Sequence, residues 1–289
     1  MKIGIIPINV GVRDAERMAA VARKAEEVGV ESVWTFEHVI VPMAYDSKYP
    51  YSAEGKMAAS PETVFVDPLI ALSFVAGCTR TLRLGTGVNI LPQANPLLLA
   101  KQAASIDFVS GGRLLLGVGT GWLREEYEAL GTPFERRGAR FDDYVTAMKK
   151  VWSGEVVEHE GEFVKLHGFK SHPVPVQKPH PPLIIGGTSR AALMRVARHG
   201  DGWFAPSAGV AALAPQLAEL RAIASELGRK PESIEITAMW PFALEGVASI
   251  ARYEALGVSR LVAPVQLLGA RNPLDGLDKL GEQLARARA

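Results

Sequence analysis

Eight short apolar runs alternate with helical stretches from one end of the chain to the other, and few folds accommodate that pattern. The runs are 2–7, 32–36, 82–91, 113–119, 183–186, 202–205, 234–240 and 260–264. The helical stretches are 14–28, 66–78, 96–109, 139–153, 189–199, 211–227, 246–256 and 275–288. Runs such as IGIIP, RLLLGVG and PLIIGG show no polar–apolar alternation, which suits strands covered on both faces, as in a parallel sheet. The pattern predicts an α/β chain folded as one (β/α)8 TIM barrel over residues 1–289. A doubly wound open sheet is the alternative, and the count of eight favours the barrel.

Gly29, Gly200 and Gly257 each follow a helical stretch, at the position where a residue in left-handed geometry stops a helix. Pro96 and Pro273 stand where a first-turn proline is tolerated. Three insertions interrupt the regularity. Residues 38–63 are polar and aromatic, with Tyr45, Tyr49 and Tyr51; residues 121–138 follow the fourth run. Both leave strands directly, so a barrel carries them on its C-terminal face, where active sites of this fold lie. Residues 155–182, between the fourth helix and the fifth run, include a hairpin VVEHEGEFVKL turning near Glu160–Gly161, and their side of the barrel is left open.

Charge and cysteine content exclude several classes of function. Lys and Arg number 32 against 31 Asp and Glu, so no global field attracts nucleic acid or an anionic membrane. The longest apolar stretch, 69–78, falls short of the ~20 residues that span a bilayer. MKIGIIPINVGV reads as a buried first strand rather than a signal peptide, because a charged amphipathic helix follows it. The single cysteine, Cys78, makes no intrachain disulfide, and a cytoplasmic protein is expected.

Four segments can carry chemistry. Glu37-His38 ends the second run, where a histidine either moves a proton near neutral pH or is tied to a backbone carbonyl. Gly85-Thr86-Gly87-Val88-Asn89 ends the third, and strand glycines mark a bulge or the close approach of a flat ring. Gly117-Val118-Gly119-Thr120-Gly121-Trp122 resembles a dinucleotide fingerprint but holds Trp122 in the last glycine position. Its next clear helix also opens too late to receive a pyrophosphate. It reads instead as a flexible backbone turn. Gly186-Gly187-Thr188-Ser189 runs from a buried strand into a helix; the hydroxyls either cap that helix or join its N-terminus in holding a phosphate. The six histidines show no metal-binding spacing, and His159, His167 and His172 read as solvated surface. Arg136, Arg137, Arg140 and Arg190 are the local cations available to an anionic cofactor tail.

Taken together, the segments WTFEHVIVP, SKYPYSAEG, RLGTGVNILPQANPLLLAKQAASIDFVSGGRLLLGVGTGWLREEYEALGTPFERRGAR and PLIIGGTSRAALMRVARHGDGWFAP resemble the luciferase-like monooxygenase superfamily, in its F420-dependent oxidoreductase branch. The resemblance spans nearly the whole chain. It implies an oxidoreductase holding the deazaflavin F420, or FMN as the alternative cofactor of a monooxygenase fed by a separate reductase. It further implies His38 and Glu37 as catalytic residues beside the ring system. Thr86, Gly87 and Val88 would form the bulge under the ring, often a non-proline cis peptide. Thr120, Gly121 and Trp122 would line the cofactor's polar side, and Gly186, Gly187, Thr188 and Ser189 would hold its phosphate. Trp122 stands where some deazaflavin-dependent relatives carry an acid. The expected partners are a small-molecule substrate and a second copy in a homodimer, with no metal.

Overall fold

In the computed structural model, which describes residues 1–206, 209–268 and 272–288 (the last of them by backbone alone), eight parallel strand positions close into a ring. They are β1 (Lys2–Ile6), β2 (Ser32–Thr35), β3 (Arg83–Thr86) with its short continuation β4 (Asn89–Ile90), and β5 (Leu114–Gly119). After the antiparallel hairpin β6 (Val157–Glu160) and β7 (Lys165–Phe169) come β8 (Leu183–Gly186), β9 (Gly202–Ala205), β10 (Glu235–Met239) and β11 (Arg260–Pro264). Closure is made by β1 against β11, with Lys2 opposite Arg260 and Ile6 opposite Pro264. The (β/α)8 barrel is the architecture that eightfold alternation predicts.

Ten helices are described: α1 (Ala15–Glu27), α2 (Pro68–Cys78), α3 (Pro96–Ser110), α4 (Arg124–Ala129), α5 (Arg137–Val151), α6 (Arg190–His199), α7 (Val210–Glu226), α8 (Phe242–Glu245), α9 (Ile250–Ala255) and α10 (Pro273–Arg288). Asp14, Asp67, Asn95 and Ser189 cap α1, α2, α3 and α6 through side-chain oxygens. Helix α4 lies inside the second insertion, where no helical pattern is evident in the sequence. The seventh helical stretch holds a 3-10 turn at Val247–Ser249 and then α9, and the short α8 precedes it.

Gly29 and Gly257 take the expected left-handed geometry, with φ of 79° and 78°. Gly200 does not: its φ is −82°, and a Cβ there would lie 3.0 Å from the Gly202 carbonyl oxygen. Crowding, not handedness, keeps that position glycine. His159 is also unlike the expectation. It is buried on the inner side of the hairpin, 2.6 Å from Asp143 of α5, while His167 and His172 are exposed. The tail of the third insertion reaches the N-terminal face, where Gln177 bonds to Arg83 and Leu114 at the starts of β3 and β5 and to Asp107 near the end of α3.

Two apolar layers hold the barrel. One lies between the sheet and the helices; the other fills the interior with Ile6, Trp34, Leu115, Ile184, Phe204 and Val262. Trp34 takes up so much of the lumen that a Cβ on Gly85 would stand 2.3 Å from its ring. The N-terminal mouth is sealed by Arg260, 1% exposed, which pairs with Glu31 and Glu235.

Candidate active site

The strands end in a cavity of about 510 Å³. Ile6, Gly186, Met239 and Pro264 line it from the last positions of their strands, so it opens on the C-terminal face. The first insertion covers it with Tyr49, Tyr51 and Met57, joined by Phe65 just after its end.

Its floor is shaped by one extra residue. Leu84 pairs with Leu114 and Asn89 with Val118, so five steps on one strand face four on the other. This is a β-bulge; it falls at Gly87–Val88, where the peptide is cis. The glycines of neighbouring strands exist to accommodate it. A Cβ on Gly117 would lie 1.7 Å from the Thr86 carbonyl oxygen, and Cβ atoms on Gly119 and Gly186 would lie 2.8 and 2.9 Å from the Val88 side chain. Gly117-Val118-Gly119 is therefore a buried strand packed on the bulge, not a flexible turn. The turn proper is confined to Gly121, with φ of 66°. Gly87 itself faces the cavity and leaves open backbone there.

His38 lines the cavity and points its Nδ1 at Glu126 Oε2, 3.0 Å away. Phe65 and Trp122 meet its ring edge to face, with centroids 5.4 and 6.2 Å apart. Glu126, 2% exposed, also accepts the backbone N–H groups of Val39 (2.6 Å) and Ile40 (3.3 Å). The adjacent Glu125 accepts those of Asp46 and Ser47. Burial raises the Glu125 pKa, but hydrogen bonds from Ser47 and Asp46 outweigh it and hold the carboxyl at about 2. Two neighbouring carboxylates on α4 thus fasten the first insertion across the second.

Glu37 has a different arrangement. It accepts from the Asn89 side chain (2.7 Å) and from the Ile90 backbone N–H, tying β4 in place beyond the bulge. Burial pushes its carboxyl up to about 7, against the lowering effect of those two bonds. A carboxyl near that value can lose or gain a proton close to neutral pH.

Seven of the residues expected from the sequence surround the cavity: Glu37, His38, Gly87, Val88, Trp122, Gly186 and Gly187. The others stand behind it. Thr86 is buried and donates to the Gly117 carbonyl, and Thr120 accepts from the Tyr127 hydroxyl. Ser189 spends its hydroxyl on the Ala192 N–H as the α6 cap, while the first-turn N–H groups of that helix keep no intrahelical partner. Glu126 carries no local mark in the sequence: its partner lies 88 positions away. Asn9 was equally unmarked, and it bonds to both Phe36 and Val66 at the two ends of the first insertion. Among the described residues, no group of acidic, histidine or cysteine side chains is arranged to hold a metal ion, and no helix is long and apolar enough to cross a membrane.

The sequence model of the family described as luciferase-like monooxygenase matches residues 6–282. An uncharacterized protein of Mycobacterium tuberculosis is 32% identical over 242 residues, covering 83% of this chain and 82% of that one. The FMNH2-dependent dimethylsulfone monooxygenase of Pseudomonas putida is 34% identical over 137 residues, 46% of this chain and 38% of the other. Among solved structures, an F420-dependent secondary alcohol dehydrogenase superposes with a TM-score of 0.80 at 16% identity, over 100% of this chain and 99% of that one.

Proposed function

The chain belongs to the luciferase-like monooxygenase family, and on that footing we propose that it is an oxidoreductase passing a hydride between the deazaflavin F420 and a small organic substrate. The observation that carries this reading is the His38–Glu126 pair at the cavity wall. Hydride exchange at carbon is accompanied by a proton on the substrate's heteroatom, and a histidine braced by a carboxylate handles that proton. Because Nδ1 faces a carboxylate, Nδ1 carries the hydrogen and Nε2 is left to take up or release the proton.

The glycine-lined floor fits a planar ring. Gly87, Gly186 and Gly187 put backbone rather than side chains against the cavity, so Gly87–Val88 would support the ring system. The turn through Gly187, Thr188 and Ser189 into α6 would take the phosphate. Thr86, Thr120 and Gly121 would support these contacts from behind, with Trp122 inside. F420, when bound, supplies a two-electron hydride acceptor or donor. The protein's part is to orient the substrate, move its proton and exclude water. Glu37 holds the β4 end of the ledge and acts next to His38.

A second reading, an FMN-dependent monooxygenase supplied by a separate reductase, is favoured by the state of the arginines. Arg136 is paired with Glu162, Arg190 with Glu219 and Glu226, and Arg140 donates to the carbonyls of Pro133 and Glu135. Arg137, stacked on Phe134, keeps a buried Nε without a partner. A polyanionic tail would have to displace existing partners, whereas a single phosphate would not. Titration with F420 and with FMN, followed by Trp122 quenching, separates the two. Saturable binding of F420 is expected, with Gly187→Glu abolishing it. Binding of FMN alone selects the second reading, and failure of both removes the assignment of the site.

A homodimer also accords with the surface. Helices α2 and α3 expose Ile70, Phe74, Leu98, Phe108 and Val109, an apolar face of the kind that a second copy covers.

A further inference from the structure

We propose that the substrate is neutral and mainly apolar, with one oxygen presented to His38, and that a carboxylate or phosphate on the substrate is rejected by the cavity wall beyond the glycine ledge. This deepens the oxidoreductase reading and rests on it. Beyond the glycine ledge the cavity is walled by Phe36, Phe65, Met57, Ala58, Ala59 and Met239. Among the described residues, no lysine or arginine lines it. An anion entering would be stripped of water with no cation among the described residues to replace it.

Among the described residues, the wall holds no uncompensated negative charge that would attract a cation instead. Glu126 is satisfied by His38, Val39 and Ile40, and Glu37 by Asn89 and Ile90. What remains for a ligand is a small set of neutral donors and acceptors. His38 Nε2 is one, since only Nδ1 is bonded within the protein. Tyr49 and Tyr51 also line the cavity, packed edge to face at 5.4 Å. Tyr49 is half-buried and Tyr51 is exposed at its outer edge, yet both stay protonated: desolvation pushes Tyr51 up to about 12 and raises Tyr49 as well. Such hydroxyls suit an alcohol or carbonyl oxygen.

The test uses the protein saturated with whichever cofactor the titration selects, so that failure of cofactor binding is seen first and separately. Benzyl alcohol, benzoate and benzylamine share a ring and differ in charge, and calorimetry at pH 8 measures the affinity of each. Benzyl alcohol is expected to bind more tightly than benzoate by about 30-fold or more. Met57→Arg places a cation in the cavity wall; it is expected to raise benzoate affinity by about tenfold while leaving cofactor affinity within about threefold. Equal binding of alcohol and benzoate, a preference for benzylamine, absence of alcohol binding, or a Met57→Arg variant with unchanged benzoate affinity would each overturn the proposal.

Discussion

Exchanging Glu126 for glutamine isolates the proton inventory of the site from its shape. The amide oxygen still accepts from Val39 and Ile40, which lie 2.6 and 3.3 Å from the carboxylate oxygen it replaces. The insertion therefore stays fastened. The other oxygen, 3.0 Å from His38 Nδ1, becomes an NH2 donor. To keep that bond His38 must offer a lone pair at Nδ1 and carry its hydrogen on Nε2, the wrong tautomer for accepting a substrate proton. Positioned acid–base catalysis contributes about 10²–10⁴-fold. The expected loss in kcat is thus at least about 100-fold, equivalent to about 2.7 kcal/mol of barrier. Steady-state turnover followed by cofactor absorbance measures it across pH, with KM and cofactor affinity expected within about threefold of the parent. Glu126→Ala is the control, because it strands two backbone N–H groups and should raise KM as well. An unchanged kcat in Glu126→Gln, or a loss matched by an equal loss of cofactor affinity, would refute the tautomer argument.

Glu37 makes a prediction about stability. Its folded pKa of about 7 exceeds the ordinary 4.5, so the folded state binds the extra proton between those values. Stability must then fall as pH rises through that window, and Glu37→Gln, which is never charged, should gain on the parent by about 3 kcal/mol from its acid to its neutral end. Thermal melts of both proteins against pH would show it, and a constant difference would contradict it. Arg260→Met should destabilise the fold by about 1–3 kcal/mol, because Glu31 would lose its cation at the barrel mouth and Glu235 would keep only Lys2. Denaturant unfolding measures that, and KM of the surviving enzyme should not move, since the network lies at the end opposite the cavity. Gly85→Ala should cost about 1–3 kcal/mol through its clash with Trp34, with recovery in a Trp34→Phe background; additive losses in the double variant would count against the clash. Ile70→Glu with Phe108→Glu should convert a dimer to a monomer in light scattering, and an unchanged mass would place any interface elsewhere.

Local chemistry was enough to determine the barrel. Buried parallel strands are written as short unbroken apolar runs, and α1, α2, α3 and α6 carry side-chain caps, so eight repeats could be read without knowing what packs on what. The same logic located Glu37-His38, Gly87 and Gly187, because a residue that ends a barrel strand must stand at the C-terminal rim. Relations across the ring were decided only by the tertiary structure. Glu126 becomes the partner of His38 because closure brings α4 over the first insertion. Gly117, Gly119 and Gly186 must lack side chains because an extra residue in the third barrel strand pushes Thr86 and Val88 into their neighbours. His159 turns inward because the hairpin lies on Asp143. None of these has a sequence period, since each depends on distance between chain segments rather than along them. The barrel brings the strand ends together, and the bulge and the two α4 carboxylates make those ends a site.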